Sequence, residues 1–347
     1  AVFDGAAENR SFAKLQASIP VSEFIMDVSV AFDTTTKVAM PHPIWGKSYP
    51  IFLMSDPPHL IKKVVNALES SNPDNSKTRG LLKLDSTGVK RPLCLKMNED
   101  AWIAFESAGL NSAMGGEGRL KRCKKLTHGH FHKTPFSRMR VPLAAQVLSK
   151  TMTHVIDEYC EGDEARTSLF EPLRKLCDLM DDFFDVCNGN RDKNYDNIRR
   201  IADSKELGTL HDVMVWFERW RDEVATHEAF GDFSPQDKKD AFLPDACFYD
   251  LNSIAKGIFA MSHFYLRKFP NSAIIVQRRL MQDILEHHFS HVRQAAGATS
   301  NPDHQQAVRA TSAAGTVRFY QGGKVNSSNA PLVISEHAAL LKKPKRR

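Results

Sequence analysis

Residues 49–68, YPIFLMSDPPHLIKKVVNAL, hold the transition on which the fold turns. Tyr49 to Met54 is a short apolar run closed by Ser55-Asp56-Pro57-Pro58, the pattern of a strand that ends at a turn. Behind it, Leu60, Ile61, Val64, Val65 and Leu68 recur at spacings of three and four, which gives a helix one apolar face. Asp56 suits the N-cap, and Pro57 suits the first helical position, where the backbone N–H has no partner to lose. The stretch predicts strand, turn, helix.

Toward the N-terminus the same order recurs. Ala1-Val2-Phe3 is apolar, Asp4-Gly5 turns the chain, and Ser11 to Ser18 looks helical. Two strand-to-helix units within roughly 70 residues argue for an α/β sheet. Toward the C-terminus strand signals cease from about Ala101. Val141–Tyr159, Leu169–Cys187, Leu210–Val224 and Phe248–Phe269 all carry helical apolar spacing. Gly115 to Gly118 marks an entry to this block, and Lys268 to Asn271 an exit. Trp216, Phe217 and Trp220 fall at helical spacing and read as core. A last helix is expected over Leu280–Arg293, before a turn-rich 297–303 and an irregular tail.

The 347 residues, 42% hydrophobic, suffice for about two domains. Lys and Arg exceed Asp and Glu by 47 to 41, a modest positive balance that suits a protein meeting nucleic acid on one face. Six scattered cysteines (Cys94, Cys123, Cys160, Cys177, Cys187 and Cys247) form no CxxC pair and read as reduced, buried thiols of a cytosolic or nuclear protein. No apolar run approaches the roughly 18 residues of a membrane span, so no membrane partner is expected. The chain opens without Met and inside an apparent strand, which reads as a fragment.

Four features could carry chemistry. In LMQDILEHHFSHVR, residues 280–293, Met281, Ile284, Leu285, His288, Phe289 and Val292 form an apolar stripe. Asp283, Glu286, Ser290 and Arg293 share another face, with two acids one turn apart. Asp4 stands at the C-terminal end of a strand, the sheet edge where α/β proteins bind ligands. Residues 118–141 carry Arg119, Lys121, Arg122, Lys124, Lys125, Lys133, Arg138 and Arg140 and no acid, a pattern that fits phosphate or a solvated face. His128, His130 and His132 alternate within it and could suggest a metal site, but the stretch offers no carboxylate and no CxxC pair to complete one. Asp178, Asp181, Asp182 and Asp185 form an acidic stripe that reads equally as solvated surface.

Taken together, these segments resemble the P-element transposases and the THAP-family proteins domesticated from them. Asp4-Gly5-Ala6-Ala7-Glu8-Asn9 is similar to that family's Asp-Gly-x-x-x-Asn segment, and Asp56-Pro57-Pro58-His59-Leu60-Ile61-Lys62 to its Asp-x-Pro-His-Leu-Ile-Lys segment. Gln282, Asp283, Leu285, Glu286, Phe289, Ser290 and Arg293 match its C-terminal helix, and Gly297, Asn301, Pro302 and Gln306 continue the match. The segments stand in the family's order along nearly the whole chain.

The resemblance implies an α/β RNase H-like fold interrupted by a large all-α insertion domain. Residues 1–114 would be the first part of the core, 115–270 the GTP-binding insertion, 271–321 the return to the core and 322–347 a basic tail. It implies a DNA transposase that cuts and joins DNA with Mg²⁺, assisted by GTP. Asp4 and Glu286 would be catalytic and metal-binding, with the family's first aspartate on a strand ahead of Ala1, so that this chain alone would be inactive. In-line phosphoryl displacement explains the carboxylates, which are the hard oxygen ligands Mg²⁺ prefers.

GTP would be held without a P-loop by Lys125, Arg140, Val141, Ser149, Phe184, Asp185, Asn188 and Asp283, Asp185 accepting from guanine N1 and N2. His59, Lys62 and Lys63, near a helix N-terminus, would grip DNA phosphate. The expected partners are transposon-end and target DNA, GTP and further copies of the chain. Lys342-Lys343-Pro344-Lys345-Arg346-Arg347 is a basic hexamer of the nuclear-localisation type. The THAP zinc module is absent from the sequence. A domesticated DNA- or chromatin-binding protein without catalysis is the alternative reading.

Overall fold

A computed structural model of the chain describes residues 1–4, 6–25, 29–71, 79–112, 123–134, 137–188, 198, 201, 204–270, 275, 277–282, 305, 306, 308 and 309. The chain divides into two units, Ala1–Arg191 with Tyr195–Gln282, and Asp192–Asn194 with Asp283–Arg347. Nearly all described residues lie in the first.

That unit begins with β1 (Val2–Phe3), α1 (Ala7–Gln16), β2 (Ile19–Pro20), β3 (Lys37–His42), β4 (Gly46–Phe52) and β5 (Met54–Ser55). β1 and β5 pair in parallel, while β2, β3 and β4 form an antiparallel sheet in that order. Gly46 takes φ +56°, the left-handed conformation that closes the β3–β4 turn without a Cβ penalty. The apolar run predicted as one strand is thus divided between two sheets. Adjacent residues donate to different strands: Leu53 N–H to Val38 O and Met54 N–H to Ala1 O, both at 2.9 Å. Neither partner is local, and local pattern cannot reveal such a switch.

α2 (Pro57–Ser70) follows with Pro57 in its first turn, and Leu60, Ile61, Val64, Val65 and Leu68 are all buried, as the period requires. A hairpin of β6 (Leu82–Leu84) and β7 (Lys90–Pro92) turns at Gly88, φ +79°. Helices then take over: α3 (Leu95–Ser112), α4 (His128–Phe131), α5 (Val141–Val147), α6 (Lys150–Cys160), α7 (Glu164–Cys187), α8 (Lys205–Thr226), α9 (Pro235–Asp240) and α10 (Asp245–Lys268). The single helix expected over Val141–Tyr159 is two. Ser149 is extended (φ −99°, ψ 164°) and its Oγ donates to Gln146 O at 2.8 Å, so the side chain competes with the helical ladder and α6 starts afresh. At the other end, Gln277–Leu280 is a 3₁₀ turn followed by non-helical Met281 and Gln282, so the expected helix does not start as an α-helix at Leu280, and its remainder, 283–293, lies outside the described residues.

α10 is the spine of the unit. Its residues from Asp250 to His263 are buried on every side, the mark of a central helix. It packs on α8, α2, β3 and β5. Gly257 allows the closest approach, because a Cβ there would lie 2.5 Å from Met54 Cγ on β5. Phe217 and Trp220 of α8 are fully buried, Trp216 packs at the core's margin, and Trp220 Nε1–H donates to Leu82 O at 2.7 Å. All six cysteines are buried, and none is in a disulfide. Among the described residues no helix is long and apolar enough to cross a membrane.

Candidate active site

In the parallel pair Phe3 faces Ser55, so the next residues, Asp4 and Asp56, leave the same C-terminal sheet edge side by side. Asp4 is half-buried. Its Oδ1 accepts from the Ala6 N–H at 3.1 Å and from the Asn9 side-chain amide. These bonds explain the Asp-Gly-x-x-x-Asn spacing: the first turn of α1 returns an amide that orients the carboxylate. Among the described residues Oδ2 has no partner.

Asp56 is 2% exposed and occupies the N-cap position of α2, yet its side chain makes no capping bond. Oδ2 instead meets His59 Nδ1 at 2.7 Å, and Oδ1 accepts from the backbone N–H of Gln282 at 2.9 Å. A residue read from the sequence as a helix cap is therefore an anchor for a segment 226 positions away. Glu286 and Asp283 follow Gln282 within four residues in the sequence, and both lie outside the described residues.

The three basic side chains predicted to grip DNA behave differently from one another. His59 is held by Asp56 and remains part-exposed. Lys63 pairs with Asp250, a fully buried carboxylate on α10 that also accepts from Ser55 Oγ at 2.7 Å and lies 3.7 Å from Arg10. Lys62 is half-buried, with no ion-pair partner among the described residues. The Asp250 network was not legible in the sequence, since a lone acid in an apolar helix has no local signal for its partners.

The residues predicted to hold a nucleotide are spread over four elements. Lys125 is exposed ahead of α4, Arg140 is the exposed N-cap of α5, and Val141 is that helix's first residue. Ser149 caps α6, while Phe184, Asp185 and Asn188 end α7. α6 packs antiparallel along α7, which brings Lys150 N–H to Asp181 and Lys150 Nζ to Asp182 at 2.6 Å. Lys150, the residue after Ser149, thus meets the acidic stripe one turn from Asp185. The stripe is half-buried rather than a solvated face. A cleft of about 440 Å³ lies at the far end of the same helix pair, lined by Asp157, Cys160, Thr167, Phe170 and Arg174, and includes none of the predicted nucleotide residues.

Burial, and then the neighbouring Asp185 charge, push the Asp181 carboxyl up to about 6, against the opposing pull of Lys150. The folded protein therefore holds this proton more tightly than the unfolded chain, and stability is lost as pH rises through about 6. Asp181→Asn is expected to stabilise the chain at pH 8 by about 1–2 kcal/mol, allowing for solvent screening of a half-buried group. At pH 4 it should be neutral. Urea unfolding at both values measures this, and an equal effect at the two would contradict it.

In the basic stretch, Lys133 and Arg138 both pair with Glu69 of α2, at 3.5 and 2.7 Å. His130 is a satisfied core histidine: 2% exposed, its Nε2 2.7 Å from Gln146 Oε1 and its ring closing a capping box with Thr127. His128 and His132 face the other way, and the fold supplies the carboxylate that the local sequence lacks, Glu99 of α3.

Residues 108–197 match the family described as "TNP-like, GTP-binding insertion domain". The fold is similar to a chain of the Drosophila P element transposase strand transfer complex, with a TM-score of 0.59 and 21% sequence identity over 90% of this chain. The chain spans 59% of the length of that one. No curated protein is significantly similar in sequence. The fold is thus one seen in a DNA strand-transfer enzyme. The matched segment is of the GTP-binding insertion kind, and the fold is shared with a P element transposase, the family that the motifs resemble.

Proposed function

We propose that the chain is the greater part of a transposase catalytic core with an RNase H-like α/β fold, in which a helical insertion binds GTP. The observation that carries this reading is the bond from Gln282 N–H to Asp56. It ties the residue four positions before Glu286 to the sheet edge that bears Asp4. Asp4 fits a metal-ligand role, being a hard oxygen donor with one oxygen oriented by Ala6 and Asn9 and the other without a partner among the described residues. Asp4 and Glu286 would hold Mg²⁺, which when bound neutralises charge on the transferred phosphate. Asn9 keeps the Asp4 carboxylate aimed, and Asp56, itself held by His59, fixes the backbone at Gln282. Lys62 and His59 would meet DNA phosphate at the N-terminal end of α2. Nuclear localisation through residues 342–347 and assembly of several copies on transposon ends belong to the same proposal.

For the nucleotide, Asp185 would read the guanine edge and Phe184 would stack on the base. Asp283 would link that site to Glu286. Calorimetry of the full chain with GTP and with ATP tests the assignment. GTP is expected to bind at least about tenfold more tightly, since a carboxylate accepts from guanine N1 and N2 but finds no such donors on adenine. Asp185→Asn should remove most of that preference. Equal affinity for the two nucleotides in the unaltered chain would refute the role given to Asp185.

A further inference from the structure

The geometry points to a second metal site, for Zn²⁺, formed by Glu99, His128 and His132 and distinct from the carboxylate edge at Asp4. Its parts come from two helices. Glu99 lies on α3 and is 7% exposed, whereas His128 and His132 stand four residues apart at the two ends of α4, on one face. His132 Nε2 is 2.5 Å from Glu99 Oε1, and the two imidazoles stack at 3.9 Å with 17° between their planes. One ligand atom from each of the three residues lies within 4.8 Å of the others. In a tetrahedral zinc site, ligand atoms at about 2.0–2.2 Å from the ion lie roughly 3.4 Å from one another. Binding needs that gap closed and the stacked rings turned apart, so that each in-plane lone pair meets the ion, and both histidines are exposed and free to turn.

The surroundings hold the ligands in place. His130 turns inward to Thr127 and Gln146, and Phe131 stacks on Trp102 of α3 at 5.2 Å, so α4 is fixed on α3 from its buried side. The exposed side then presents two imidazoles to a buried carboxylate. Lys96 now neutralises Glu99 at 3.2 Å, but it also pairs with Asp100 at 2.9 Å, a partner it keeps when a cation takes Glu99. Two imidazoles and a carboxylate suit a borderline ion such as Zn²⁺ and not Mg²⁺, which selects oxygen ligands and keeps its water. A fourth position is left for water.

Bound there, zinc would clip α3 to α4 across residues 113–122, at the entrance to the region that matches the GTP-binding insertion family. The inference stands on the local geometry and does not depend on the proposed catalysis.

The test uses the full 347-residue chain, stripped with chelator and titrated with Zn²⁺ by calorimetry, with Co²⁺ as a visible-absorption probe. One equivalent of Zn²⁺ should bind, raise the melting temperature by several degrees and resist millimolar Mg²⁺. The double variant His128→Ala/His132→Ala, which alters exposed side chains and should fold normally, is expected to bind at least about tenfold more weakly and to lose the thermal gain. Glu99→Gln, which can still hydrogen-bond His132, should weaken binding by about tenfold. Absence of Zn²⁺ binding would overturn the site. So would binding of equal strength in the double variant, which would move the ion to other groups.

Discussion

Asp4→Asn, in a protein that carries the complete carboxylate set, is expected to lower Mg²⁺-dependent DNA cleavage by on the order of 10³-fold or more, because a lost metal ligand removes several kcal/mol of charge stabilisation. The substitution is a narrow one. Asparagine keeps an oxygen for the Ala6 N–H, so the turn into α1 should survive and the melting temperature should change little. Glu286→Gln should have a similar effect, and the double variant should be no worse than either single one, since residues that act as a unit do not add. DNA affinity measured without Mg²⁺ should be nearly unchanged in all three. Single-turnover nicking of labelled DNA reads the rate. Cleavage that persists in Asp4→Asn would remove Asp4 from the site. No cleavage by the unaltered protein, with DNA binding intact, would favour the non-catalytic reading.

The second large effect concerns stability and lies within α10. Lys256 is 1% exposed, its Nζ donating to Glu218 Oε1 at 2.7 Å and to Thr36 Oγ1 at 2.9 Å, with Asp33 Oδ2 3.6 Å away. Glu218 is itself 8% exposed, and its other oxygen accepts from Asp33 N–H at 2.7 Å. Removing one partner of a buried ion pair strands the other, at a cost of about 3–5 kcal/mol. Lys256→Met, close in volume, should therefore destabilise the chain by about that much in urea unfolding. Lys256→Met combined with Glu218→Gln should recover a large part of it, because no buried charge is left uncompensated, the Asp33 carboxylate being exposed to water, and the Asp33 N–H keeps its acceptor. A loss under about 1 kcal/mol in the single variant would show that water reaches Glu218 and that the pair does not brace α10 against α8.

The residues that explain these effects differ in how far the sequence announces them. Leu60, Ile61, Val64, Val65 and Leu68 declare α2 through their spacing, and Pro57 declares its start, because both signals are made by neighbours along the chain. Phe217 and Trp220 are core for the same reason. Asp4 at a strand end and Asn9 five residues on could also be read locally, and the structure joins them by a hydrogen bond. Asp56 could not. Its type and place were those of a cap, and only the arrival of Gln282 shows that it holds another segment. The break at Ser149 was hidden by a continuous apolar period, which is insensitive to one extended residue that costs a single turn of hydrogen bonds.

What the sequence by itself determined is the helical periods of α2, α7, α8 and α10, the strand-to-helix units at Asp4 and Asp56, and a motif order that resembles one transposase family. Those features depend on interactions within a few residues, or on motifs that keep their order. What only the tertiary structure decided is which side chains meet: Ser55 and Lys63 with Asp250, Lys256 with Glu218, and Glu99 with His132. Each pair is far apart in sequence, and each partner alone is an ordinary polar residue. Burial in a shared, poorly hydrated space turns such residues into an ion pair or a ligand set, and no local pattern carries that information.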